Sequence, residues 1–219
     1  SEMRRAACML AVVLGLTSPA GSQESVRDTS HNLSVSGPGS VRAVSETRVC
    51  VFCHTSHNAA FQAPLWNRES PGGTYQMYWS ETMDAYGSSA EAPQPNGSSK
   101  LCLSCHDGTI ALGSTVSEGR IEMQGGITTM PTTSESNLGR DLSGDHPVSF
   151  TVTDHLVTTN NSKGDVSLRS VSEMRNHPLV RLDKENRIQC TTCHDPHRDP
   201  YGDFLLTAKP GELCIACHS

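Results

Sequence analysis

Residues 50–57 of the chain read CVFCHTSH, and residues 190–197 read CTTCHDPH. Each stretch holds two cysteines three positions apart, with a histidine directly after the second cysteine. Residues 102–106 (CLSCH) and residues 214–218 (CIACH) repeat the same five-residue pattern. Any fold proposed for the chain of 219 residues has to accommodate these four C-x-x-C-H motifs.

The C-x-x-C-H pattern is the attachment signature of a c-type haem. Two thiols in one turn can reach the two vinyl groups on one porphyrin edge, and the next imidazole then points at the iron. Zinc binding, disulfides and redox-active C-x-x-C pairs are the alternatives. None of them requires a histidine after every second cysteine, so we predict four covalently bound haem c groups. The predicted attachment residues are Cys50, Cys53, Cys102, Cys105, Cys190, Cys193, Cys214 and Cys217, and the predicted proximal iron ligands are His54, His106, His194 and His218.

The composition is consistent with a core made largely of haem. Hydrophobic residues make up 35% of the chain and aromatic residues 5%, whereas globular domains are usually roughly 45–50% apolar. We therefore expect a mostly irregular multihaem cytochrome c, with short helices at the motifs, a few short strands and a core of stacked haems. The net charge of −6 with four lysines argues against a nucleic-acid partner, because phosphate binding needs a basic face.

The sequence divides into five segments. The first segment has two arginines, an apolar run and a small-residue site, which is typical of a secretory signal peptide. This run of about 11 residues is too short to span a bilayer, so we expect an exported protein without a membrane span. Residues 146–152 alternate apolar and polar side chains, which favours a short strand. The segments are a signal peptide (1–20), an extended N-terminal arm (21–49), a first dihaem module (50–110), a haem-free insertion rich in Ser, Thr and Gly (111–189), and a second dihaem module (190–219).

Six histidines outside the motifs are candidates for the second axial position of each iron. His57 cannot face His54 across one haem, because side chains three residues apart project from the same side of a turn. His57 must therefore reach a neighbouring haem, and the same argument applies to His197 and the haem of His194. The remaining histidines are His31, His146, His155 and His177.

These remaining histidines differ in their sequence context. His146 and His177 each precede a proline, which favours an extended conformation. His155 lies in a Thr-rich polar stretch and is expected at the surface. Methionine is the other usual distal ligand, but no methionine here has a favourable spacing. We therefore expect low-potential haems with two histidine ligands each.

Several strings of this sequence resemble the multihaem cytochromes c of metal-reducing bacteria, in particular the tetrahaem outer-surface type that polymerises into extracellular filaments. The resemblance covers most of the chain after residue 20. It implies distal ligands at His31, His57, His146 and His197, and it allows one of them to be donated by a neighbouring subunit. His177 is then a reserve distal candidate. The strings are HNLS at 31–34, CVFCHTSH at 50–57, PLWN at 64–67, CLSCHDGT at 102–109, GDHPVSF at 144–150 and CTTCHDPH at 190–197.

Electron transport along closely spaced haems is the predicted function, with other cytochromes or extracellular acceptors as redox partners and no catalytic residues. A multihaem reductase is the enzymatic alternative, but nothing in the sequence marks an iron with an open face.

A filament would join identical subunits head-to-tail. The fourth motif is followed by Ser219, so we expect its haem to be exposed, and the arm that carries His31 could reach the next subunit. A filament predicts an extracellular or cell-surface location, whereas the alternative is a soluble periplasmic shuttle.

Overall fold

The computed structural model of the protein describes residues 25–57, 59, 65–164 and 167–219. The predicted signal peptide (1–20) lies outside these residues. Most of the described chain forms turns and irregular segments, and its regular structure consists of four short α-helices and four two-residue strands. The predicted low content of regular secondary structure is therefore confirmed. Within the described ranges, no helix is long and apolar enough to cross a bilayer.

Every C-x-x-C-H motif coincides with a short helix. Two motifs lie at the ends of α-helices, and the other two begin with a 3-10 turn. The predicted short helices at the motifs are therefore confirmed. The α-helices are α1 (Gly97–His106), α2 (Asp154–Lys163), α3 (Val171–Asn176) and α4 (Pro210–Cys217), and the 3-10 turns are Val26–Asp28, Cys50–Phe52, Gln124–Gly126 and Cys190–Thr192.

The four strands form two separate pairs. Strand β1 (Gln76–Met77) pairs in parallel with β4 (Asp141–Leu142), with Gln76 opposite Asp141. Strand β2 (Ser114–Thr115) pairs antiparallel with β3 (Gly119–Arg120). Both pairs are too short to form a sheet with a face of its own, so the backbone of this protein is held mainly by turns and isolated bridges.

The strand expected at residues 146–152 is not formed. Ser149 has a left-handed φ of 69°, which interrupts the extended backbone. Its hydroxyl accepts a hydrogen bond from the Asn96 amide (3.0 Å), and the side chain is buried. Thr151 forms only an isolated bridge, to Arg187. The alternating pattern therefore belongs to a bent segment and not to a strand, and the buried residue at the bend is Ser149.

Among the described residues, three small apolar clusters take the place of one large core, and each includes a residue from a motif. The second variable position of every motif is almost completely buried, with 0 to 2% of its surface exposed. These positions are Phe52, Ser104, Thr192 and Ala216. The second variable residue therefore anchors all four motifs to the protein. The clusters are Ala43, Val51, Phe52 and Met123; Tyr75, Met77, Ala92, Leu103 and Leu142; and Val152, Val157, Met174, Val180, Ile188 and Ala216.

Residues 25–49 lie against the rest of their own chain, which differs from the extended arm expected from the sequence. Ala43 is fully buried, and the Val44 amide donates to the carbonyl of Glu122 (2.9 Å). Asn32 and Ser34 are also buried, and the Ser34 hydroxyl donates to the Asn32 side-chain oxygen (2.7 Å). This polar network gives a Ser-rich segment a fixed loop that its composition does not reveal.

The internal repeat of the sequence has a structural counterpart. After the first and third motifs, the chain returns and pairs with the motif histidine through an isolated antiparallel bridge, His54 with Trp66 and His194 with Leu205. Two backbone hydrogen bonds flank each bridge. They run from Thr55 to Leu65 (2.8 Å), Asn67 to Cys53 (2.8 Å), Asp195 to Phe204 (2.8 Å) and Leu206 to Cys193 (3.1 Å).

Candidate haem-binding site

All eight motif cysteines have free thiols. Burial raises the pKa of the second cysteine in each motif, to about 12 for Cys53 and to about 11 for Cys217, and in the same direction for Cys105 and Cys193. A redox-active C-x-x-C pair instead depends on a thiol whose pKa is lowered. These four second-position thiols therefore do not have the character of a disulfide-exchange site, but the pKa of Cys190, the first cysteine of the third motif, is lowered to about 7 by a hydrogen bond with Cys102.

The thiols of successive motifs are neighbours in space. In each pair of successive motifs, a cysteine of one motif lies close enough to a cysteine of the other motif to raise its pKa. The neighbouring thiols are Cys53 with Cys105, Cys102 with Cys190, and Cys193 with Cys214. The four motifs therefore follow one another through the structure in the order in which they follow one another in the sequence.

Gln189 joins the second motif to the third. Its side-chain oxygen accepts hydrogen bonds from the Ser99 amide (3.1 Å) and the Ser99 hydroxyl (2.6 Å), so it caps the first turn of α1. The Ser99 hydroxyl accepts in turn from the Cys190 amide (3.1 Å). Both Gln189 and Ser99 are buried. A residue directly before the third motif thus fixes the helix that carries the second motif.

Two motif histidines each lie beside a histidine from outside the motifs. The ring centres of His54 and His197 are 6.0 Å apart, with planes at 16°. The ring centres of His31 and His106 are also 6.0 Å apart, with planes at 66°. A metal–imidazole bond is about 2 Å long and the ring centre lies roughly 1 Å further, so ligands on opposite sides of one metal have centres about 6 Å apart. The spacing of both pairs suits two axial ligands of one iron.

The other two distal candidates are placed differently. Burial lowers the pKa of His218, and the charge of His146 lowers it further. His146 is therefore a neighbour of His218. His57 is exposed, and the Thr55 hydroxyl donates to its backbone carbonyl (2.7 Å). His155 is exposed on α2, where the sequence led us to expect it.

Several histidine rings among the described residues are held through Nδ1 by a backbone carbonyl. Examples are His31 with Pro196 (2.8 Å), His106 with Ser136 (2.8 Å), His146 with Pro147 (2.9 Å) and His194 with Asp203 (2.7 Å). A carbonyl can only accept, so these hydrogen bonds assign the proton to Nδ1 and leave the Nε2 lone pair for a metal.

His177 has the opposite arrangement. Its Nδ1 accepts a hydrogen bond from the Leu179 amide (3.2 Å), which assigns the ring proton to Nε2. His177 also lines a cavity of about 350 Å³ together with Arg169 and Glu173. Its hydrogen bonding makes His177 less suited to an iron than His31 or His146.

The turn at residues 202–204 positions two of these rings. Gly202, Asp203 and Phe204 all have left-handed φ angles, of 85°, 53° and 57°. Such angles cost about 1–3 kcal/mol in a residue other than glycine. The turn presents the Asp203 carbonyl to His194 and stacks the Phe204 ring on His31, with ring centres 4.0 Å apart. We did not identify Asp203 or Phe204 from the sequence, because Gly202-Asp203 signals a turn but not what the turn holds.

In the part of the chain that the structure describes, the buried Nδ1 of His218 has no hydrogen-bond partner, and three buried N–H donors find no acceptor. They are Arg42 Nε, Trp66 Nε1 and Arg68 Nε. Such donors are rare in folded proteins because each costs free energy. Trp66 packs edge-on against His54, with ring centres 5.9 Å apart. The unpartnered Trp66 donor, beside the first motif, is compatible with a haem, whose propionates accept hydrogen bonds.

Residues 183–219 match a family model described as the doubled CXXCH motif. This match contains the third and fourth motifs, and the C-x-x-C-H motif is the signature of covalent haem c attachment. A search of curated proteins finds no match.

Proposed function

We propose that this protein transfers electrons through four haem c groups, one at each motif, with two histidine ligands to each iron. The observation that carries the proposal is the spacing of 6.0 Å in the pairs His54–His197 and His31–His106. Each pair joins a motif histidine to a histidine from elsewhere, as an iron with two histidine ligands requires. A haem bound in this way supplies a one-electron couple and no open coordination position.

The remaining ligands follow from position. His146 is assigned to the iron of His218, because the two histidines are neighbours. His57 is assigned to the iron of His194 by the internal repeat. His197 follows the third motif and pairs with the first, and His57 holds the same position after the first motif. The two modules would thus exchange distal ligands, and this exchange would hold them together.

The order of the motifs in space supports transport through the protein. Successive motifs have neighbouring thiols, and Gln189 fixes the second motif against the third. Haems bound by neighbouring thiols lie close together. Electrons would therefore pass from the first motif to the fourth, or in reverse, without a large gap between carriers.

Haem content and spin state test the proposal. A pyridine haemochrome assay should return four haems per chain, and all four should remain attached in a denaturing gel. The oxidised protein should be entirely low-spin. His197→Ala should convert one haem to high spin, whereas His155→Ala should convert none. Two haems or fewer would contradict the proposal, and high-spin iron in the unsubstituted protein would favour a reductase.

For the setting of this activity, we propose an extracellular filament of identical subunits that delivers electrons to other cytochromes or to extracellular acceptors. The first cysteines of the first and fourth motifs, Cys50 and Cys214, are exposed. They belong to the two ends of the series of motifs. A head-to-tail contact between these ends would continue the series into the next subunit, and such contacts build open polymers when they do not close.

A soluble periplasmic shuttle is the second candidate, and one observation favours it. His31 lies beside His106 of the same chain, so no distal ligand has to come from another subunit. Negative-stain imaging of the secreted protein separates the two candidates. Filaments that stain for haem would support the polymer, whereas single particles with four haems would support the shuttle.

A further inference from the structure

Arg68 holds a positive charge in the interior of the protein. Its side chain is fully buried, with 0% of its surface exposed. Its terminal nitrogens donate to four backbone carbonyls, and its Nε has no acceptor among the described residues. No carboxylate in these ranges forms an ion pair with it. The carbonyls are those of Leu112 (2.8 Å), Ser114 (3.2 Å), Ser104 (3.2 Å) and Ala111 (2.9 Å).

This arrangement fixes the guanidinium without neutralising it. Carbonyl groups solvate a cation through their dipoles, but they carry no net charge. A buried charge without a partner of opposite sign is costly, and a single mutation to a neutral residue would remove it. The charge is therefore expected to act on something in its surroundings.

The surroundings of Arg68 include the first two motifs. The Ser104 carbonyl that it binds belongs to the residue directly before Cys105. The amide of Asn67, the residue directly before Arg68, donates to the Cys53 carbonyl (2.8 Å). Arg68 thus lies beside one attachment residue of the first motif and one of the second.

We propose that Arg68 raises the reduction potentials of the haems attached at the first and second motifs. The inference rests on the proposed function, since it requires haem at both motifs. Reduction adds one electron, taken from an external reductant, and lowers the charge at the iron by one without making or breaking a bond. Arg68 favours the reduced state, because a fixed positive charge in a poorly screened interior attracts the added electron.

Asp107 provides an opposing charge at the second motif. It is buried, with 4% of its surface exposed, and its carboxylate accepts from the Tyr75 hydroxyl (2.6 Å) and the Thr109 amide (2.8 Å). Asp107 directly follows His106, the predicted proximal ligand of the second motif, so its negative charge lies beside the same motif as Arg68. The haem at the second motif is therefore expected to respond to the difference between the opposite charges of Arg68 and Asp107.

Potentiometric titration of the haem-loaded protein tests the proposal. Arg68→Gln should lower the potentials of two of the four haems, with a fall of about tenfold in their reduced-to-oxidised ratio, which is about 59 mV for one electron. Arg68→Lys keeps the positive charge, so the two potentials should return most of the way to those of the unsubstituted protein. Asp107→Asn should raise one potential. Arg48→Gln removes the same charge from the surface, where 55% of the Arg48 side chain is exposed, and should have little effect.

The haem content of each sample separates this inference from the proposed function. Fewer than four haems in the unsubstituted protein would contradict the proposed function. Four haems with unchanged potentials in Arg68→Gln, or an equal fall in Arg68→Lys, would overturn the role of Arg68 and leave it as a support for the carbonyls. If Arg68→Gln does not fold, Asp107→Asn decides, because an unshifted potential there would show that buried charge beside Cys105 does not act on the haem.

Discussion

At the scale of single residues, His31 shows how a ligand can be prepared before its metal binds. Its Nδ1 donates to the Pro196 carbonyl, its ring stacks on Phe204, and its remaining edge lies near His106. Burial lowers the pKa of His31, which favours the neutral ring that a metal needs. Three separate parts of the chain thus fix one imidazole in one orientation and one protonation state.

This placement predicts the effect of His31→Ala in the isolated protein. One haem, that of the second motif, should become high-spin, because its distal ligand is lost within the same chain. All four haems should stay covalently attached, since no cysteine changes. Electron paramagnetic resonance of a monomeric fraction measures the spin state. His155→Ala is the matched control, and a monomeric His31→Ala protein that stays fully low-spin would show that the ligand comes from elsewhere.

The types of the site residues could be predicted from the sequence, but not their partners. The motif residues are recognisable because covalent attachment fixes their spacing within one turn. The pairing of His31 with His106 joins distant parts of the chain, and no local pattern encodes it. The acceptors that orient the rings are the backbone carbonyls of Ser136, Pro196 and Asp203. Any residue type offers a carbonyl, so these positions leave no signal in the sequence.

At the scale of secondary-structure elements, the junction between α1 and the third motif is held by polar groups. Helix α1 begins with amide groups that have no partner within the helix. The Ser99 amide finds its acceptor on Gln189, which also donates to the Asn96 side chain (2.9 Å). The junction therefore depends on hydrogen bonds inside the protein, where an unmet donor is expensive.

Gln189→Ala should weaken this junction. The substitution leaves the buried Ser99 amide and hydroxyl without their acceptor, so the free energy of unfolding should fall by about 1–3 kcal/mol. Guanidinium denaturation followed by haem absorbance measures the change. Gln76→Ala, at an exposed position of β1, is the control and should stay within about 0.5 kcal/mol of the unsubstituted protein. Equal stability of the two variants would contradict a special role for Gln189.

Secondary-structure elements that depend on local sequence spacing were predicted correctly, whereas an element that depends on tertiary contacts was not. The helical turns at the motifs follow from the spacing of cysteines and histidine. The strand expected at residues 146–152 would need a straight backbone. Instead, Ser149 turns and donates its amide to the carbonyl of Ile188 (2.6 Å), and the Ile188 amide donates to Phe150 (3.1 Å). Tertiary pairing with the segment before the third motif determined this backbone, and alternation alone cannot reveal it.

At the scale of the whole molecule, the apolar clusters are divided among the motifs. Phe52, Leu103 and Ala216 pack into three separate clusters, and the second cysteines of the first and fourth motifs, Cys53 and Cys217, are partly buried against two of them. A chain that is 35% hydrophobic has little more to bury. Under the proposed function, haem fills the space on the thiol side, and the polypeptide forms a thin layer around it.

The ends of the series of motifs determine how such a molecule would assemble. Ile215 lies between the cysteines of the fourth motif and exposes 60% of its surface, whereas the adjacent Ala216 is completely buried. Most of the Ile215 surface therefore lies outside the interior of its own chain. In a head-to-tail polymer this side chain would be covered by the next subunit, and burying it would contribute about 1.5–3 kcal/mol to each contact.

Ile215→Glu should therefore prevent polymerisation without affecting the haems. Replacing the apolar contact by a buried charge weakens each junction by more than tenfold, since about 1.4 kcal/mol corresponds to a factor of ten. Negative-stain imaging and size-exclusion chromatography should find single subunits, each with four low-spin haems. Val116→Glu changes another exposed apolar residue, 43% exposed at the β2–β3 turn, and should polymerise normally. If Ile215→Glu forms filaments at the usual concentration, the fourth motif does not face the contact, and if the unsubstituted protein never polymerises, the shuttle is the correct function.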